Sequence, residues 1–366
     1  MNSKLKVALI GYGYAGKTIH APLILSIPGL ALAAVVSGDA AKVRADFPGL
    51  QVSPSLDELL STTALDIIVI ATPNHTHFEL ARRALLAGKH VVVDKPFTVT
   101  AAQSRELKKL AERNNLLLSV FHNRRWDADF LTLRELIKSE QLGELTSFES
   151  NFDRYRPDVR ARWREQAGEG SGLWFDLGPH LLDQTLHLFG RPIAIQAEFA
   201  VQREKAQTVD YFHVLLRYPR LRVILHASLL QADETPRYVL KGELGSYSKF
   251  GSDTQEEALK RGERPGGAAW GYDPREGVLL NAQGSLVSGG RYMNLYGDYR
   301  QFYAKFRDAI RLHSANPVSL DDAILSMALL ELALQSAECG SEMQLGLLTD
   351  TRPATYLPFP PQTAGN

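Results

Sequence analysis

A doubly wound parallel sheet followed by an α+β unit on an open, mainly antiparallel sheet is the fold class this sequence predicts, and three observations carry it. Short apolar runs alternate with helix-length segments up to about residue 122, which is the pattern of βαβ units. The first run passes directly into a glycine-spaced turn, Gly11-Tyr12-Gly13-Tyr14-Ala15-Gly16, before a helical stretch. Beyond about residue 190, strand-like segments follow one another without helices between them, the spacing of an antiparallel sheet.

Taken in order, Lys6 to Ile10 reads as the first buried strand, with a helix through about Ser26 after the glycines. Leu32 to Val36 is the second strand, Ser55 to Leu60 a short helix, and Ile67 to Ala71 a third strand ending in Thr72-Pro73-Asn74. His77 to Ala87 is helical, with Gly88 as its cap before the strand His90 to Val93. Thr100 to Asn114 is a helix, closed by the strand Leu116 to Val120. A strand around Phe148 and a helix from about Pro179 to Phe189 precede the strands Ile193–Phe199, Tyr211–Tyr218, Leu221–Leu229 and Tyr238–Glu243. Helices at about Gly297–His313 and Leu320–Ser341 follow. The predicted division is a dinucleotide-binding unit over 1–122, a substrate and oligomerisation unit over 123–350 and an extended tail over 351–366. The glycine- and charge-rich stretch Asp253–Glu276 reads as a surface excursion, a flap near the substrate or a loop without a role.

Composition narrows the function. Forty-five per cent of the 366 residues are hydrophobic and 22% charged, near the globular average, so sizeable cores are expected. The 41 Lys and Arg residues balance the 41 Asp and Glu residues, which leaves no broad field for nucleic acid or an anionic membrane. The N-terminal apolar run passes straight into glycines rather than into a signal-type core, and no run of about 18 apolar residues occurs. A soluble cytoplasmic protein is expected. Cys339, the single cysteine, lies in an apolar helical run and reads as a buried structural thiol.

The turn Gly11-x-Gly13-x-x-Gly16 follows a strand and opens a helix, the context in which the spacing has a mechanism. The first glycine allows the tight turn, the second lets backbone approach a pyrophosphate, and the third lets helix and strand pack closely. This Rossmann-type turn points to a dinucleotide, with free N–H groups at the helix start facing its phosphates. An acidic residue at the end of the second strand, about 20 residues on, binds the ribose of NAD. Here Ser37-Gly38 holds that place, with Asp39 two positions later, so NADP is expected in preference to NAD; Lys42 and Arg44 are candidate phosphate partners.

Lys95, in Asp94-Lys95-Pro96, would project from the carboxyl edge of the sheet, where ligands of such folds bind. A lysine there orients a substrate hydroxyl and stabilises alkoxide charge. Asp176-Leu-Gly-Pro-His180 places a carboxylate and an imidazole around an expected helix start at Pro179. The positive helix end would keep His180 neutral and available as a base. His180, Asp183 and His187 share a helix face and could in principle hold zinc, but hydride transfer needs no metal, and none is expected.

With Ala71-Thr72-Pro73-Asn74-His75-Thr76-His77 added, this ordered set of motifs resembles the Gfo/Idh/MocA oxidoreductases over essentially the whole chain. The resemblance implies a hydride transfer between a nicotinamide and a CH–OH carbon of a sugar, polyol or inositol. It carries the substrate site onto Lys95, Asp176 and His180. Thr72, Pro73, Asn74 and His75 would border the adenine and ribose, and Asp94, Lys95 and Pro96 the nicotinamide. It also implies pairing of chains through the second sheet. Asp94 departs from the family's usual glutamate. Phe121-His-Asn-Arg-Arg-Trp126 and the pair Arg162-Trp163 look most like the NADP-linked scyllo-inositol dehydrogenase branch, with Arg125, Arg162 and Trp163 as substrate-side candidates. Two other readings stay open: a non-catalytic dinucleotide-sensing regulator, and an enzyme of the family acting on an imine or a halide-bearing substrate.

Overall fold

The computed structural model describes residues 3–287 and 291–346. Mainly apolar, buried strands and the short, partly exposed edge strand β3 build the first sheet: β1 (Leu5–Ile10), β2 (Leu30–Val36), β3 (Gln51–Ser53), β4 (Ile67–Ile70), β5 (His90–Val93) and β6 (Leu118–Val120). All neighbours are parallel, in the order β3-β2-β1-β4-β5-β6. The order reverses between β1 and β4, which opens a crevice at the carboxyl ends of the strands. The helix Ala101–Arg113 covers a face of this sheet and begins at a capping box formed by Thr100 and Gln103.

Alternation of buried and half-buried residues marks the second sheet, as in the pattern of Tyr211–Arg217. Its strands are β7 (Leu145–Asn151), β8 (Ala194–Ala200), β9 (Tyr211–Arg217), β10 (Arg222–Ser228), β11 (Tyr238–Gly242), β12 (Gly245–Lys249), β13 (Val278–Asn281) and β14 (Met343–Gln344). They run β13-β12-β11-β7-β10-β9-β8-β14, antiparallel except for the parallel pair β7 and β10. The helices Gly172–Phe189 and Leu320–Cys339 lie on the inner face. The α/β reading with a parallel and a mainly antiparallel sheet therefore holds.

Four elements differ from expectation. The helix Gly172–Phe189 starts well before Pro179, which sits inside it. Tight turns at Gly170 and Gly172, both at positive φ, begin the helix ahead of the proline that reads as a start signal. The stretch Asp253–Glu276 is anchored rather than loose: Gln255, Ala258, Leu259 and Trp270 are buried, and its helix Gln255–Lys260 packs against the glycine turn. The helix Arg300–Leu312 joins the first core, where Phe302 and Tyr303 meet His20, Phe121 and Trp126, and Phe306 stacks on Phe302. Cys339 is exposed, because it ends its helix one residue before the Gly340 cap. The expected tail over 351–366 lies outside the described residues. Among the described residues no helix is long and apolar enough to cross a membrane.

Candidate active site

The three glycines of the first turn do different work. Gly11 adopts φ +94°, and a Cβ there would lie 2.5 Å from the Ala71 carbonyl oxygen. A Cβ on Gly16 would lie 2.1 Å from the Gly11 oxygen, so close packing of turn and helix requires glycine. Gly13 faces nothing within 4 Å, which leaves a backbone face open to a phosphate-bearing ligand. Of the residues between, Tyr12 is buried and its hydroxyl donates to Asp46 at 2.9 Å, while Tyr14 is exposed and donates to Glu256 at 2.7 Å. Ala15 opens the helical turn Ala15–His20. The turn thus fits a dinucleotide.

At the end of β2, Ser37 Oγ accepts from the Asp39 N–H at 3.1 Å, and the Asp39 carboxylate caps the next helix by accepting from Lys42 N at 3.0 Å. After β4, Thr72 Oγ1 and Thr76 Oγ1 lie 2.6 Å apart, Pro73 is extended, His75 is exposed, and the buried Asn74 donates to the Gly170 carbonyl at 2.7 Å. His77 joins this turn to the next, with its ring nitrogens 3.0 Å from the Thr72 oxygen and 2.8 Å from the Pro96 oxygen.

Lys95 leaves the carboxyl end of β5 and reaches the helix Gly172–Phe189. Its Nζ donates to the Asp176 carbonyl at 2.7 Å and to Asp176 Oδ1 at 3.2 Å. Pro179 removes the N–H that would bond the Phe175 carbonyl, so the helix is interrupted beside this contact. Arg164 approaches the same carboxylate oxygen at 3.3 Å. Burial pushes the Asp176 carboxyl up, but Lys95, Arg164 and Arg154 outweigh it and hold it well below the usual carboxylate range. Asp94 turns back to accept from the Lys95 N–H at 2.8 Å, and its other oxygen lies 3.7 Å from His20 Nε2. Burial opposes its ionisation; His20, Lys95 and His77 overcome this and hold it at about 2.

His180 is buried one turn beyond Asp176, and its Nδ1 has no hydrogen-bond partner. It stands mid-helix, so the expected protection by a helix N-terminus is corrected: burial, then the charges of Lys95, Arg124, His122 and Arg237, hold the imidazole well below its ordinary pKa. Gly178 belongs to the same turn because a Cβ there would meet the Trp174 ring at 2.6 Å. His122, missed at sequence level, is buried beside this group, with Nδ1 also unpartnered and burial pushing it down to about 4.

The substrate-side candidates separate. Arg125 is committed to Asp183 through two hydrogen bonds of 2.9 and 2.6 Å, which also occupies the carboxylate once considered for zinc. Arg162 donates to Glu165 at 2.8 Å, and Trp163 lies under the Arg164 guanidinium at 4.4 Å. The arginines that act on the site are others: Arg124, Arg154 and Arg237 converge on the Phe152 ring at 5.0, 4.9 and 4.6 Å. Gln184 connects two of them, donating to the Arg124 carbonyl and accepting from Arg237 and the Tyr238 hydroxyl. The one available signal was the two-residue spacing of Phe152, Arg154 and Arg156, which follow the end of β7 on either side of the exposed Tyr155.

A glycine turn after the first strand of a doubly wound sheet, with Lys95 leaving the carboxyl end of β5 to bond Asp176 one helical turn from His180, defines a dinucleotide-dependent oxidoreductase. Residues 5–122 match the family model described as the oxidoreductase family, NAD-binding Rossmann fold, and residues 134–345 match its C-terminal alpha/beta domain. The chain belongs to the Gfo/Idh/MocA oxidoreductase family. It is 52% identical to the uncharacterized oxidoreductase YdgJ of Escherichia coli over 92% of this chain and 98% of that one. It is 38% identical to the scyllo-inositol 2-dehydrogenase (NADP(+)) IolW of Bacillus subtilis, over 91% of this chain and 94% of that one. The solved structure of YPO2259 from Yersinia pestis is similar at TM-score 0.89 and 51% identity, covering 94% of this chain and 98% of that one. An oxidoreductase from Bacillus cereus gives TM-score 0.86 at 30% identity, with 94% and 100% covered.

Proposed function

We propose that this protein is a cytoplasmic, NADP-preferring dehydrogenase that oxidises a CH–OH group of a sugar, polyol or inositol, with Lys95, Asp176 and His180 as its reacting side chains. The observation that carries the reading is the convergence of these three residues: Lys95 from one sheet bonds Asp176, and His180 feels Lys95 before any other charge. A dinucleotide held by its pyrophosphate at the glycine turn would supply the hydride acceptor, with its nicotinamide toward Lys95. His180, neutral in its cationic surroundings, accepts the hydroxyl proton. Lys95 orients the hydroxyl and stabilises the alkoxide that forms as hydride leaves. Asp176 holds the Lys95 ammonium in place.

Two features support the cofactor preference. The Asp39 carboxylate is engaged as a helix cap, and Ser37 stands where an NAD site carries its acid. The activity of the Bacillus relative, a scyllo-inositol 2-dehydrogenase, supports an inositol-like substrate. Chain pairing is proposed through the outer face of the second sheet, where Tyr211, Leu215 and Ile224 are only half-buried. The test is binding of NADPH and NADH, followed by oxidation of an inositol and aldose panel. Tighter NADPH binding with turnover of any polyol supports the reading. Binding without turnover across the panel favours the regulator, and no binding of either nucleotide removes it altogether.

A further inference from the structure

The substrate side of the cleft carries more positive charge than hydride transfer requires. Stabilising an alkoxide needs one cation at the reacting carbon, and Lys95 supplies it. Yet Asp176 is acted on by three cations, Lys95, Arg164 and Arg154, and the charges that act on His180 include Arg124 and Arg237 as well as Lys95. Most of these have carboxylate or amide partners: Arg124 bonds Glu256 at 2.8 Å, Arg164 meets Asp176, and Arg237 donates to Gln184. Arg154 and Arg156 do not. Among the described residues neither guanidinium has a carboxylate within 4.0 Å or a side-chain hydrogen bond, although Arg154 is half-buried against Phe152. Burial, then the neighbouring charge of Arg156, pushes Arg154 down to about 10, so the pair repels itself as it stands.

The segment that bears them is built, not loose. Beyond the end of β7 the backbone N–H groups of Phe152, Arg154 and Arg156 donate to the carbonyls of His226, Ser228 and Leu229, and Tyr155 pairs with Leu230 in an antiparallel bridge. Buried Arg203 pins the next residues by donating to the carbonyls of Arg156 and Asp158, while bonding Asp210 and Glu165. Tyr155, between the two arginines, is bridged to Leu230 and 61% exposed, so its neighbours Arg154 and Arg156 both turn to the opposite, inner side, close enough for one carboxylate or phosphate to meet both. Two guanidiniums without a carboxylate partner, carried on a pinned backbone and both in the field of Asp176, are a site for an anion.

We infer that the substrate carries an anionic group, a carboxylate or a phosphate, apart from its reacting CH–OH carbon, and that Arg154 together with Arg156 receives it. This rests on the dehydrogenase reading above and refines its substrate class. The first measurement is calorimetric binding of inorganic phosphate and of gluconate to the NADP-saturated protein, so that the cofactor's own phosphates are already accounted for. Wild type should bind one of the two, with affinity reduced at least about tenfold in Arg154→Gln and in the more exposed Arg156→Gln, and largely kept in Arg154→Lys. The second is kcat/KM for matched pairs: glucose against glucose 6-phosphate, and glucose against gluconate. The anionic member should be preferred about a hundredfold, through KM, with the favoured pair separating phosphate from carboxylate. Neutral members turned over as well as both anionic ones, or anion binding unchanged in both glutamine variants, overturn the inference and leave the dehydrogenase reading standing. Arginine-dependent anion binding without turnover of any member sustains the anion site and removes the dehydrogenase reading.

Discussion

The two sides of the cleft are made of different material. On the proposed cofactor side the surface is backbone: Gly11 and Gly16 are required by carbonyls 2.5 and 2.1 Å from where a Cβ would stand, and Gly13 is open. On the substrate side the surface is made of side chains from five separate stretches, represented by Lys95, Arg124, Arg154, Asp176 and Arg237. A backbone site tolerates almost no substitution at its few fixed positions, while a side-chain site is tuned by charges that compensate one another. Changing one residue should therefore break the second side through chemistry and the first through geometry.

The largest effect is expected at His180. His180→Ala removes the proposed base, and kcat should fall about 10²- to 10⁴-fold, with the NADPH dissociation constant within about twofold of wild type. Turnover close to wild type would take the imidazole out of the reaction. Lys95→Ala should lower kcat/KM about 10²- to 10³-fold, because the alkoxide then forms without its cation. A near-normal rate would make Lys95 only a structural partner of Asp176.

The next pair sets the two sides against each other directly. Gly16→Ala forces a methyl into the Gly11 carbonyl and should cost about 2–4 kcal/mol in chemical denaturation. Gly13→Ala meets open space, so stability should stay within about 1 kcal/mol of wild type while NADPH binding weakens at least about tenfold. Equal stability losses in the two variants would mean that the turn is held by packing alone.

This contrast also explains what was legible in the sequence. The glycine turn could be read because its constraints are local: strand, positive φ and helix start all lie within a dozen residues. Alternation of strands and helices gave the parallel sheet, and closely spaced strands without helices gave the middle of the antiparallel one, but not its outlying strands β12, β13 and β14. Lys95, Asp176 and His180 were singled out by motif, but their surroundings were not. Arg124 and Arg154 look like ordinary surface arginines until β7 and the Asn123–Trp126 turn bring them to one ring, Phe152. The Arg125 side chain, singled out instead of its neighbour, is turned to Asp183, 58 residues away. Pro179 misled because proline commonly marks the first helical turn, and only the packing of Trp174 against Gly178 shows that the helix has already begun.

A smaller effect is expected at Ser37. Its hydroxyl is tied to the Asp39 N–H, and the Asp39 carboxylate faces its own helix. Ser37→Asp places a second carboxylate at the end of β2, where it would repel a 2′-phosphate and accept from a ribose 2′-hydroxyl. The ratio of NADP to NAD in kcat/KM should fall about tenfold. An unaltered ratio would put the 2′ site elsewhere.

The smallest expected change is an absence of one. A histidine base with an ordinary pKa near 6.5 would lose about nine-tenths of its neutral form on going from pH 7.5 to 5.5. Burial and the flanking cations hold His180 well below that value, so it is expected to remain neutral over this range. kcat/KM should therefore change by less than about twofold between these pH values, measured where circular dichroism shows the fold intact. The sign follows from the surroundings: each cation near the imidazole disfavours a further positive charge and moves the acid limb downward. A tenfold fall centred near pH 6.5 would show that solvent or a bound substrate cancels the field of Lys95, Arg124 and Arg237. It would then be the occupied cleft, not the empty one, that sets the base.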